Sequence, residues 1–158
     1  VLPRQAGQAA RETGSAGSPD TSFLYTPAEL YRMAEAYGES GRRAYIRARF
    51  TFDLAWPLVY TLFLATAISW VFGRAFPPQS RWQRANLAPL LGATLDYLEN
   101  VSTSLVVLRY PARTAVADLL APVFTALKWA LIGSSFFLLL VGVVVVAWRR
   151  IGRKAPGA

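Results

Sequence analysis

The chain has 158 residues, 54% of them apolar and 16% charged, with a formal charge of +8. That is more apolar and less charged than an average soluble domain, and it fits one small membrane domain with a polar N-terminal extension. With neither Cys nor His, the sequence excludes disulfides, thiolate nucleophiles, iron–sulfur clusters and Ser/His/Asp sets. It also lacks the usual donors for haem or zinc, so no cofactor is expected on this chain alone, although lipids or partner-held pigments and cofactors can sit beside it.

The positive charge gathers at the ends of apolar runs: Arg42, Arg43, Arg47 and Arg49; Arg74, Arg81 and Arg84; Arg149, Arg150, Arg153 and Lys154. Membrane proteins place arginines there to set topology and meet anionic head groups. Membrane lipids, and not nucleic acid, are therefore the expected partners.

Residues 1–22 are rich in Gly, Ala, Ser and Gln without periodicity and read as a flexible tail with no signal-peptide pattern. Residues 23–50 form an amphipathic segment. Thr26-Pro27-Ala28-Glu29 is a capping box with proline at the first helical position. The helix it opens puts Leu30, Met33, Ala34 and Tyr37 on one stripe and ends at Gly38. That stripe suits either the membrane surface or the protein's own domain. A basic helical stretch follows and continues into the first apolar run.

Residues 51–148 hold the spans. The first, 52–72, has arginines before it, Gly73-Arg74 after it, and Trp56 and Trp70 near its ends. Pro57 predicts a kink or a first turn. Residues 73–86 read as a polar loop. The second span is 87–108, and 109–113 makes a tight turn. The third apolar region, 115–148, is longer than one span needs: either a tilted helix from about 118 to 148 crosses with Lys128 inside, or a span from Trp129 to Trp148 leaves Lys128 at head-group level. Residues 149–158 form a basic tail. A bacterial inner-membrane location with the C-terminus cytoplasmic is expected from the positive charge, which divides almost evenly between the two sides.

Asp96-x-x-Glu99-Asn100 interrupts the second span with three polar groups on one helical face. Ionisable groups at that depth are costly and usually find a partner inside the protein. Counting from a turn centred near Ala112 brings Lys128 to the depth of Asp96, and counting across the 73–86 loop pairs Glu99 with Tyr60. The expected cluster is Asp96, Glu99, Asn100, Lys128 and Tyr60, with lysine neutralising one carboxylate while Tyr60 and Asn100 bond the other. Asp53 falls at the mouth. Such a set serves either as a proton or cation site or as a buried ion-pair lock. Gly92-Ala93-Thr94 and Gly133-Ser134-Ser135 offer surfaces for close helix approach, and Tyr25, Tyr31, Tyr37, Tyr45 and Trp82 read as interfacial anchors.

The motifs Tyr37-Gly38-x-x-Gly41-Arg42-x-x-Tyr45, Asp53-x-x-x-Pro57-x-x-Tyr60, Asp96-x-x-Glu99-Asn100 and Lys128-Trp129 resemble those of a group of small uncharacterised bacterial multi-span membrane proteins, over roughly residues 25–140. The resemblance implies four spans in the full gene product and no particular activity. It also implies that the polar residues act as a set.

The expected fold is all-α: a membrane helical bundle of three spans, or four in the full gene product, with a short interfacial helix. The leading functional expectation is a non-catalytic structural or accessory subunit packed among other membrane protein subunits. The alternative is a proton-coupled or ion-conducting carrier using Asp96 and Glu99. A lipid-modifying enzyme with those carboxylates as acid and base needs a substrate pocket that sequence does not display.

Overall fold

The computed structural model describes residues 17–19 and 22–153, and among these every regular element is a helix. Five α-helices succeed one another: α1 (Pro27–Ala36), α2 (Gly38–Arg49), α3 (Phe52–Ala75), α4 (Leu87–Arg109) and α5 (Ala117–Arg153), with a 3₁₀ turn at Arg81–Asn86 before α4.

The capping box forms. The Glu29 amide donates to Thr26 Oγ1 at 3.3 Å, and the Thr26 amide donates to the Glu29 carboxylate at 2.7 Å. The bonds from Thr26 hold the Glu29 carboxyl below its ordinary range. Leu30 and Ala34 are fully buried, Leu30 against Val106, Ala117 and Ala121, Ala34 against Tyr37, Tyr45 and Val107. The stripe of α1 therefore packs on its own domain. Gly38 then takes φ +62°, a left-handed conformation that turns the chain from α1 into α2 at little cost to glycine. A second break at Phe50 and Thr51 parts α2 from α3, so the basic stretch does not run unbroken into the first apolar run.

Helix α3 passes through Pro57, which has no amide to offer the Asp53 carbonyl. Its last turn is closed by Gln83 Nε2, which donates to the carbonyls of Phe72 and Phe76 at 3.1 Å each. The segment expected as an irregular polar loop is thus partly helical and tied to the helix before it.

Helices α3 and α4 are antiparallel: Thr61 Oγ1 bonds the Pro89 carbonyl, and Asn86 Nδ2 donates to Ser69 Oγ. Helix α5 returns along both. A Cβ on Gly92 would sit 3.3 Å from Ile132 Cγ1, and one on Gly142 would sit 2.5 Å from Phe72 Cε1. A Cβ on Gly142 would thus be crowded by side chains of α3, whereas one on Gly133, expected to allow close helix approach, would meet nothing within 4 Å. Ile68, Val71 and Phe72 pack with Leu138, Leu139 and Val146 around that contact.

The bundle is turned inside out relative to a soluble protein. Leu58, Leu62, Leu119, Val123 and Leu140 are exposed, while Asp96, Glu99, Asn100, Thr103, Thr125 and Lys128 are buried. Two helical stretches, Gly38–Ala75 and Ala117–Gly152, are long and apolar enough to cross a membrane by length and composition. The stretch 87–108, expected as the second span, is helical as α4, whose 23 residues reach about 35 Å, but with its polar middle it is not among the stretches apolar enough to cross. Helix α5 is continuous from 117 to 153, which puts Lys128 well inside it and extends helix into the expected basic tail.

Three of the expected anchors and part of the expected tail lie within the bundle. Tyr25, Tyr37 and Tyr45 are 7%, 3% and 3% exposed and belong to the core; Trp82 is exposed and stacks on Phe76. Of the tail expected at 1–22, residues 17–19 lie on the bundle, with Pro19 buried and the Gly17 carbonyl accepting from Tyr37 Oη at 2.8 Å. The remainder apart from Ser22, together with 154–158, lies outside the described residues.

Candidate functional site

Asp96, Glu99 and Asn100 are all buried at the middle of α4, on the face turned toward α3 and α5. The spacing of three and four that aligns them also commits them jointly, since one rotation of the helix buries or exposes all three. Lys128, about three turns into α5, reaches across and places Nζ 3.1 Å from Asp96 Oδ1 while also contacting Glu99 Oε2. One ammonium thus serves two carboxylates. Tyr60, from α3, donates to the other oxygen of Asp96 at 3.0 Å.

The five residues expected as a cluster are together, but their pairing differs from the expectation. Tyr60 bonds Asp96 and not Glu99, because α3 continues to Ala75 and the 3₁₀ turn takes up Arg81–Asn86, which moves the centre of the α3–α4 connection toward Pro78. Lysine serves both carboxylates. Asn100 turns to Arg49, whose Nη1 lies 3.4 Å from Asn100 Oδ1.

Arg49 is the residue that sequence reasoning missed. Its place among the arginines before the first apolar run points to the head groups, yet it is 5% exposed at the end of α2. Its Nη1 donates to Asp53 Oδ2 at 2.7 Å, its Nη2 to Ser18 Oγ at 3.1 Å, and its guanidinium lies 4.5 Å from the centre of the Tyr45 ring. The available signal was the Arg49-x-x-x-Asp53 spacing, which places opposite charges one helical turn apart. Asp53, expected at the mouth, is there as the partner of Arg49.

Both ion pairs face one cavity of about 460 Å³ between α3 and α5, a size typical of small-molecule pockets. Its polar lining is Arg49, Asp53, Tyr60, Asp96 and Lys128; Phe52, Trp56, Pro57, Trp129, Ile132 and Phe136 supply the apolar walls. Glu99 is not on the lining and is wholly buried behind Lys128. Tyr97 donates to the Leu54 carbonyl at 2.8 Å, fixing α4 against the first turn of α3. Trp129 Nε1 and Asn100 Nδ2 are buried with no hydrogen-bond acceptor among the described residues. No group of three His, Cys, Asp or Glu among those residues is placed to hold a metal ion.

The geometry divides the cluster in two. Glu99 is sealed in the protein, where its pairing with Lys128 joins α4 to α5. Asp96 shares that lysine but borders open space, so a proton or a solute can reach it without unpacking the bundle.

No known protein family, no curated protein and no solved structure matches this chain.

Proposed function

We propose that this chain is a non-catalytic membrane protein that takes a small solute into the cavity between α3 and α5 and carries it in exchange for a proton at Asp96. The observation that carries this reading is that Asp96, bonded to Lys128 and Tyr60, lies on the wall of a cavity and not in sealed core. A carboxylate so placed holds either a proton or a cationic group, and the choice between them couples the two. The same cavity shifts the weight away from a pure ion-pair lock, which has no use for open space beside it.

In this reading α4 is the third span. Its polar face is turned inward onto α3 and α5, and its outer residues Leu90, Leu98, Val101 and Leu105 are exposed to the bilayer. The end formed by the C-termini of α3 and α5 carries Arg74, Arg81, Arg84, Arg149 and Arg150, and the sequence has no acidic residue between Asp53 and Asp96 or after Asp118. We place that end in the cytoplasm of a bacterial inner membrane.

The test is solute-driven proton movement. Proteoliposomes enclosing a pH-sensitive dye and offered a panel of small cationic, anionic and neutral solutes should change internal pH with the carried class alone. Asp96→Asn should abolish the response while the protein still elutes as a folded species.

A second reading, an accessory subunit of a larger membrane assembly, is favoured by a different observation. Val101, Leu105 and Leu108 of α4 and Val116, Leu119 and Val123 of the α5 segment expose apolar faces that partner spans can cover. Gentle-detergent extraction followed by native sizing and mass spectrometry decides it. A large stoichiometric assembly, with no response to any solute, would replace the carrier reading.

A further inference from the structure

The cavity that the carrier reading relies on also has a character that selects its occupant. In both ion pairs lining it, the carboxylate is the accessible member: Asp53 is 21% exposed against 6% for Arg49, and Asp96 12% against 5% for Lys128. Each cation is the more deeply buried member of its pair in proportion to its size. The two cations are held by three carboxylates, Asp53, Asp96 and the buried Glu99 in contact with Lys128, so the balance of charge at the cavity is negative.

The remaining walls point the same way. Phe52, Trp56, Tyr60, Trp129 and Phe136 bring five aromatic rings to one cavity. Phe52 and Trp56 are stacked with centroids 6.2 Å apart and planes 13° from parallel, so they present one extended π surface. Aromatic faces attract cations through their quadrupole, most strongly when water is excluded, and Trp is the best of them. Lys128 already lies 5.5 Å from the Trp129 ring centre, so the protein's own cation uses this environment. Trp56 of α3 and Phe136 of α5 line the cavity and are also half-exposed, so its edge between these two helices reaches the surface of the bundle. A solute dissolved in the bilayer can enter there without crossing the ends of the bundle.

Resting on the carrier reading, we infer that this cavity binds a lipophilic organic cation, such as an aryl- or alkylammonium, with its charge at Asp96 and Asp53 and its apolar body between Trp56 and Phe136. An anionic amphiphile of the same shape would meet the two carboxylates and the negative faces of the rings, and is rejected on charge.

The experiment uses two probes of matched size and opposite charge. The purified full chain in uncharged detergent is titrated with tetraphenylphosphonium and, separately, with tetraphenylborate, following tryptophan fluorescence. Tetraphenylphosphonium should quench saturably and tetraphenylborate should not. Trp56→Ala and Asp96→Asn should each weaken phosphonium binding by about tenfold. Trp56 is half-exposed, so its variant keeps the fold and remains informative if Asp96→Asn does not fold. Saturable binding of the borate alone would overturn the cation inference and leave the solute-binding reading standing. Saturable binding of neither probe would overturn both. Phosphonium binding that survives both substitutions unchanged would place it outside this cavity and overturn the inference.

Discussion

Lys128 contacts Glu99 and Asp96 together, but Glu99 is wholly buried whereas Asp96 borders the cavity. A single ammonium thereby links a carboxylate that holds the helices in register to one that a solute or proton can reach. The two acidic residues have distinct surroundings despite standing three positions apart on one face.

Lys128→Met removes the shared cation and leaves two carboxylates in a poorly solvated site. Removing one partner of a buried pair costs roughly 3–5 kcal/mol. Thermal unfolding in detergent should show a large fall in stability. Adding Asp96→Asn and Glu99→Gln to it should recover most of the loss, because a neutral set leaves no charge stranded. An unchanged melting temperature for Lys128→Met would mean that the lysine is not held in the bundle.

Glu99→Gln and Asp96→Asn should separate by what they damage. The first removes a charge from sealed core and should lower stability more. The second removes one from the cavity wall, leaves Lys128 with Glu99, and should lower solute-driven proton movement more. Equal effects of the two on both readouts would contradict the division.

Arg49→Lys should behave as a non-conservative change. The guanidinium reaches Asp53, Asn100 and Ser18 from one planar fork, which an ammonium cannot match. A loss of about 1–3 kcal/mol is expected from leaving buried polar partners unmet. By contrast, Arg47→Lys should be silent. Paired chemical denaturation curves check both.

Gly142→Ala should be costly because its Cβ would press on Phe72 and Val71. Overpacking of this kind costs about 1–3 kcal/mol. Gly133→Ala, with nothing within 4 Å, should instead be neutral or slightly stabilising through helix propensity. If the two variants melt together, α3 and α5 do not meet at Gly142.

Helix α1 should weaken on acidification. The Glu29 carboxyl has its pKa lowered, first by the bond from the Thr26 backbone, so its contribution is present above the ordinary glutamate value and is lost as pH falls through the lowered one. Thr26→Ala removes the reciprocal cap, and a cap of this type is worth about 1 kcal/mol. Amide hydrogen exchange should report faster opening of 27–36 in the variant at neutral pH. The wild type should approach the variant's rates only in acid.

Much of this protein is written in one dimension. The apolar run lengths, the Thr26–Glu29 box, and the spacing of Asp96, Glu99 and Asn100 are local properties, so they foretell helices, a helix start and a shared polar face. Even the approach of Lys128 to Asp96 is legible, because constant helical rise turns equal counts from a turn into equal depth. What counting along the chain cannot give is rotation about each helix axis and the shape of the connections. Those depend on packing: Gly142 against Phe72 sets how α3 meets α5, and the 3₁₀ turn shifts Tyr60 from Glu99 to Asp96. The same packing draws Arg49 from the head-group region into the core and buries three tyrosines that sequence alone would put at the surface. Only the tertiary structure decides that Asp96 faces a cavity while Glu99 is sealed. That choice turns on which side of α4 has space, and space is a property of several helices at once.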